Sequence, residues 1–153
     1  MNLVQTIDQY NLNNTYFCEP IKNNVMPNGS FIRIIYSTNI VILNGINLSL
    51  CLNDVSIDKY YNKYKCSFNV AIHKDIIENI KTIEENLLKN VSIYNKIPQF
   101  KVYDQMRNGN IKIFSDNIEK NNNNNLFMLK ISGIWETETN YGITYKFSKI
   151  NDC

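Results

Sequence analysis

The spacing of apolar residues along this chain changes period twice, and each change marks a new element. Isoleucine-rich stretches come first, "FIRIIYS" (31–37) and "NIVILNGINLSLCLN" (39–53). Such β-branched density predicts strands, and Asn44-Gly45 predicts a hairpin because both residues tolerate positive φ. In "YKCSFNVAI" (64–72), Tyr64, Cys66, Phe68, Val70 and Ile72 alternate with Lys65, Ser67 and Asn69, the pattern of a half-buried strand. The period then lengthens. Across 74–90, Ile76, Ile80, Ile83 and Leu87 fall at helical spacing with Ile77 and Leu88 beside them, and Lys and Glu fill the other side. This predicts an amphipathic helix packed on a sheet. A short turn of helix is expected around "YDQMRNG", then a strand at "NIKIFS" (110–115). Period two returns in "LFMLKISGIWE" (126–136) and "YGITYKFSKI" (141–150), joined by the polar turn "TETN". Residues 1–30, punctuated by Pro20, Pro27 and Gly29, read as an irregular lead-in. Asn121 to Asn125 read as part of an exposed loop, 116–125.

Strands, one long helix, then strands again define a mainly β fold in one domain. The order matches a five-stranded OB-fold-like barrel, with an α+β sandwich, its helix laid across one sheet, as the alternative. In the last two strands, Tyr141, Ile143, Tyr145 and Phe147 share one side while Thr144, Lys146 and Ser148 share the other. Trp135, the only tryptophan, falls in register with Phe127, Leu129 and Ile131 and is expected on the core side. Gly133 predicts a bulge or bend. The final hairpin is therefore mainly structural, and its contribution to binding would come from Lys130, Lys146 and Trp135 at the rim.

With 44% hydrophobic and 20% charged residues among 153, the chain has a globular composition. A net charge of +2 argues against a polyanion-binding tail yet permits a local basic groove. The bias toward Asn, Ile, Lys and Tyr points to an AT-rich genome. No apolar run approaches the roughly 18 residues that span a bilayer, so no membrane association is expected. The N-terminus lacks the basic start and apolar block of a secretory signal, so an intracellular site is expected. Four scattered cysteines without a C-x-x-C pair read as reduced thiols, with Cys51 and Cys66 buried in apolar strands. No metal or cofactor site is expected on this spacing. Catalytic candidates are sparse. The single histidine, His73, sits at a strand-to-helix junction, Asp54 and Asp58 lie beside Lys59, and Glu136 and Glu138 flank the last turn. None belongs to a phosphate loop, nucleophile elbow or metal-protease motif, so the chain is read as a non-enzyme with no catalytic residues.

The basic and aromatic residues carry more. "KYYNKYK" interleaves Lys59, Lys63 and Lys65 with Tyr60, Tyr61 and Tyr64. Lysines attract phosphates and tyrosine rings offer unpaired bases a stacking surface worth roughly 1–3 kcal/mol each. The same run also reads as a strand edge guarded by lysines, and both readings stand. Lys22 and Arg33 add charge near the start. An arginine in an isoleucine-rich strand faces solvent, an acidic partner or a phosphate, given its desolvation cost.

The stretches "EPIKNNVMPNGSFIRIIYS" and "LKISGIWETETNYGITYKF" together resemble the predicted single-stranded DNA-binding proteins, of podovirus OB-fold type, in giant nucleocytoplasmic DNA viruses. The resemblance spans most of the chain. It implies a protein that coats single-stranded DNA, or RNA, during viral replication or recombination in an infected cell. Homo-oligomers or replication proteins would be its protein partners, and Lys22, Arg33, Lys130, Trp135, Tyr145 and Lys146 its binding residues. Phage proteins of that type end in an acidic tail that recruits partners. This sequence departs from them, closing in "SKINDC" with one acid. The rival expectation is a non-enzymatic viral structural or interaction domain.

Overall fold

The computed structural model describes residues 4–23, 29–114 and 126–150. Residue 115, the 116–125 loop, Pro27 and Cys153 lie outside the described residues. The chain is mostly β with one long helix. Its strands are β1 (Gln5–Thr6), β2 (Thr15–Phe17), β3 (Ile21–Asn23), β4 (Gly29–Ser37), β5 (Ile42–Asn44) and β6 (Ile46–Cys51). Next come β7 (Ser56–Tyr60), β8 (Lys63–Ser67), helix α1 (Lys74–Asn90) and β9 (Ile97–Gln99). Helix α2 (Lys101–Arg107), β10 (Asn110–Phe114), β11 (Leu126–Glu136) and β12 (Asn140–Lys149) complete it. The lead-in expected to be irregular thus holds three short strands, which pair with β6 and β4.

Among the described residues the strands form one mixed, unclosed sheet of twelve, with the path β1-β6-β11-β12-β10-β8-β7. The sheet is larger than the five-stranded OB-fold-like barrel expected from the element order, and it is not closed. β11 is the hub. Its first half pairs with β6 and its second with β4, while β12 runs antiparallel along its length. The core lies on one side of this sheet. Ile32, Ile34, Leu48, Leu50, Cys66, Ile113, Phe127, Leu129 and Phe147 pack there with Ile80 and Leu87 of α1 and Met106 of α2. Both helices thus contribute to the same core as the strands.

Three local expectations change. Asn44-Gly45 does not close a two-residue hairpin. β5 folds back on β4 around Thr38–Val41, whereas β6 leaves to pair with β11. Gly45, at φ +88, turns the chain between the two, and a Cβ there would lie 2.6 Å from the Ile131 carbonyl oxygen. The strand expected through 64–72 ends at Ser67. The Asn69 side chain accepts from the Ala71 N–H at 2.8 Å and starts a 3-10 turn, leaving Val70 and Ile72 exposed. Cys51 is exposed, not buried, because Ile46, Leu48 and Leu50 fill the core side of β6 and Cys51 alternates to the other.

A thiol test follows from that placement. Cys66 is fully buried, and burial pushes its thiol up to about 11, so little thiolate forms at neutral pH. Titration of the native protein with a disulfide reagent should modify Cys51 rapidly, and Cys66 only as fast as the protein unfolds. Equal rates at the two positions would contradict the assignment of β6 and β8 faces.

Candidate nucleic-acid interface

The face of the sheet opposite the buried core gathers most of the charged residues singled out above. Directly paired residues share a face, so the register places them. Asp58 of β7 pairs with Lys65 of β8, and Lys65 with Lys112 of β10. Ile113 pairs in parallel with Phe147 of β12, which sets Lys112 beside Lys146 one residue earlier on each strand. Lys146 in turn pairs with Lys130 of β11. A row of lysines, Lys65, Lys112, Lys146 and Lys130, therefore crosses four adjacent strands. Among the described residues none of them has an ion-pair partner. Like charges directly opposed across strands are destabilising, so Lys65 facing Lys112 and Lys130 facing Lys146 cost the fold stability, which Asp58 opposite Lys65 offsets at one end of the row only. The row meets Asn47 of β6, which is buried with no partner for its Oδ1 among the described residues.

Next to the row lies an aromatic patch. Ile131 pairs with Tyr145 and then Gly133 with Thr144, so Ser132 is an extra residue on β11. Such a bulge moves everything beyond it to the opposite side. Ile134 takes the buried place, and Trp135 turns to the outer face opposite Phe31 and Gly142. This corrects the expected core register of Trp135. Two glycines give the rings room to lie on the sheet: a Cβ at Gly133 would meet the Phe31 ring at 2.6 Å, and one at Gly142 the Trp135 ring at 2.7 Å. The Lys101 ammonium sits 4.8 Å from the centre of the Trp135 ring, a cation–π contact. Arg33 pairs with Gly133 and is exposed on the same face, as a strand arginine must be.

The "KYYNKYK" run forms the tip of the β7–β8 hairpin. Tyr60 pairs with Lys63, and Tyr61 sits in the turn at φ 56, 86% exposed, with its ring edge-on to Tyr60. Tyr60, Lys63 and Lys65 line a groove of about 320 Å³ with Asn110 and Lys112. Lys59 does not join them. It pairs with Tyr64 on the other side and lies 5.9 Å from that ring. Lys22 is likewise elsewhere, because it pairs with Ser30, which shares the side of Ile32 and hydrogen-bonds Glu136. Glu136 is held by Lys96 at 2.5 Å, and that hydrogen bond, outweighing burial, lowers its carboxyl. Glu138, the other acid of the last turn, is exposed.

A second opening, about 470 Å³, lies beside the β10–β12 pairing and is lined by Gln105, Asn108, Asn110, Lys112, Phe114, Tyr145, Lys146 and Phe147. Tyr145 belongs to this space rather than to the open face. It is half-buried, its hydroxyl donates to Gln105 Oε1 at 2.8 Å, and burial raises its phenol. Sequence reading missed Gln105, Asn108, Asn110 and Lys112, because no local pattern tells which strand neighbours which. His73 has both ring nitrogens engaged: Asn53 N–H donates to Nε2 at 2.8 Å, and Nδ1 donates to the Asn69 carbonyl at 2.7 Å. It holds the strand-to-helix junction. Among the described residues no group of His, Cys, Asp or Glu could hold a metal ion, and no helix is long and apolar enough to cross a membrane.

Helix α2, which carries Gln105, is anchored by an unexpected residue. Glu84 was expected on the polar side of α1 but is almost fully buried, accepting from the Val102 N–H at 3.1 Å and the Tyr103 N–H at 2.9 Å. Burial pushes its carboxyl up to about 7 from 4.5, against those two hydrogen bonds, with Asp104 and Glu85 adding to the rise. A folded-state value above the unfolded one gives stability that is complete below about pH 4.5 and lost as pH rises through about 7. The whole effect amounts to about 3 kcal/mol. Urea unfolding of Glu84→Gln should therefore lack most of the decline that the parent shows between pH 5 and pH 8. Parallel pH profiles for the two would rule out this role for Glu84.

Comparison with protein-family models, with curated proteins and with solved structures finds no match.

Proposed function

We propose that this protein binds single-stranded nucleic acid, DNA or RNA, laid across the outer face of the sheet. The observation that carries the reading is the unpaired lysine row across β8, β10, β12 and β11, a like-charged line that a chain of phosphates would neutralise. Aromatic rings beside it, Trp135 and Phe31 at one end and Tyr60 and Tyr61 at the other, offer stacking that a duplex cannot use because its bases are already stacked. An OB-type kinship and a role in viral replication or recombination belong to the same proposal. Their support is the bulged β11–β12 ribbon and the sequence resemblance. A second reading, a protein-interaction domain, draws on the exposed Ile40 and Ile42 at the β4–β5 turn.

Titration with oligo-dT, followed by the fluorescence of Trp135, tests the proposal. Binding should be tighter to single strands than to duplex of equal length and should weaken steeply with salt, since each phosphate contact releases counterions. Alanine at both Tyr60 and Tyr61 should weaken binding and leave the salt slope nearly unchanged, because stacking releases few ions. An absence of binding at low salt would favour the interaction-domain reading.

A further inference from the structure

We propose that the opening beside the β10–β12 pairing is a nucleobase pocket, and that it selects a keto base (thymine, uracil or guanine) from the bound strand. The inference rests on the single-strand reading and goes beyond it, since the lysine row and the stacking rings carry no base preference. β10 and β12 are joined at Ile113–Phe147. Around that pair the opening is lined from both sides of the sheet, Lys112, Phe114 and Lys146 from the outer side and Gln105, Tyr145 and Phe147 from the helix side. Its volume, about 470 Å³, lies in the range of small-molecule sites.

The selectivity follows from which polar atoms are still free. The Tyr145 hydroxyl donates to Gln105 Oε1 at 2.8 Å, taking one of its two lone pairs and orienting the amide. The amide NH2 is a donor with no partner among the described residues. Lys112 and Lys146 are donors that cannot accept. The pocket thus presents mostly donors, with the Asn108 and Asn110 amides able to turn either way. Keto bases answer donors with carbonyl oxygens, and guanine adds N7. Cytosine and adenine place an amino donor at the corresponding position. Phe114, 56% exposed, gives the base a face to lie on, and the edge-on Tyr145–Phe147 pair, with ring centres 5.6 Å apart, contributes to the wall.

Oligo-deoxyuridine and oligo-deoxycytidine of equal length make the cleanest comparison, because they differ where the pocket reads. Fluorescence anisotropy should give about tenfold tighter binding of the deoxyuridine oligomer, in the range of one base-reading contact. Gln105→Glu replaces the free donor by an acceptor, so the preference should vanish or reverse toward cytosine. Gln105→Met, close in volume and without polar atoms, should lower the preference while overall salt-dependent binding persists. Equal affinity of the parent for both oligomers, with salt-dependent binding intact, would overturn the pocket and leave the single-strand reading standing. No binding to either oligomer would overturn both. Uridine monophosphate, titrated alongside, should bind at least a hundredfold more weakly than the oligomer because it misses the rest of the lysine row. Equal affinity for the free nucleotide would overturn the assignment to a strand.

Discussion

Replacing Lys65, Lys112, Lys130 and Lys146 together by alanine should reduce single-strand affinity by two to three orders of magnitude at 0.1 M salt. Each phosphate contact on a single strand contributes about 0.7 to the slope of log affinity against log salt, so losing all of them should flatten that slope by about 3. The same variant should be no less stable than the parent. Lys65 faces Lys112 and Lys130 faces Lys146 across paired strands, and relieving each opposition should return about 0.5 kcal/mol, together more than the variant loses by removing Lys65 from opposite Asp58. Anisotropy titrations over a salt series and urea unfolding read the two effects separately. A variant that binds like the parent would mean that the row is only a solvated surface. A variant that fails to fold would mean that these side chains carry packing the register does not reveal.

Gly133→Ala should have the largest effect on the fold. An added methyl would lie 2.3 Å from the backbone carbonyl oxygen of Ile32 and 2.6 Å from the Phe31 ring. The ring can rotate away, but the carbonyl belongs to the β4–β11 ladder and cannot move without breaking it. Overpacking of this kind costs about 3 kcal/mol, the upper end of the usual range. For a domain of this size the melting temperature should then fall by roughly 6–12 °C. Because β4 and β11 hold Phe31, Arg33 and Trp135 in one patch, single-strand binding should weaken with it. A melting temperature within a degree of the parent would show that the strands have more freedom at this point than the register implies.

What was legible in the sequence is what short-range periodicity encodes. The helix over 74–90 matches α1 in its bounds because its apolar stripe repeats over several turns without a breaker. The strands at 126–136 and near 141–150, and the bulge at Gly133, were likewise readable, each from its own alternation or its own glycine. Glu84 was not. Its burial depends on the Val102 and Tyr103 amides 18 and 19 residues away, and a polar residue on a helix carries no local sign of such a partner. Trp135 was misplaced for a related reason. A bulge could be anticipated, but one extra residue reverses facing, so the face of Trp135 depends on where the bulge falls.

The sequence by itself determined the mostly β character of the protein, its long helix, the alternation that buries Phe127, Leu129 and Phe147, and the outward-facing arginine at position 33. Only the tertiary structure decided which strands are neighbours. That pairing brought Lys65, Lys112, Lys146 and Lys130, drawn from distant parts of the chain, into one row, and sent Lys22 and Lys59 to other surfaces. It also brought Gln105 of α2 together with residues of β10 and β12 around one pocket. The physical reason is that periodicity fixes which side of its own strand a residue takes, within a few residues. Strand order is set by burial and hydrogen bonding summed over the whole core, and no single segment contains that sum.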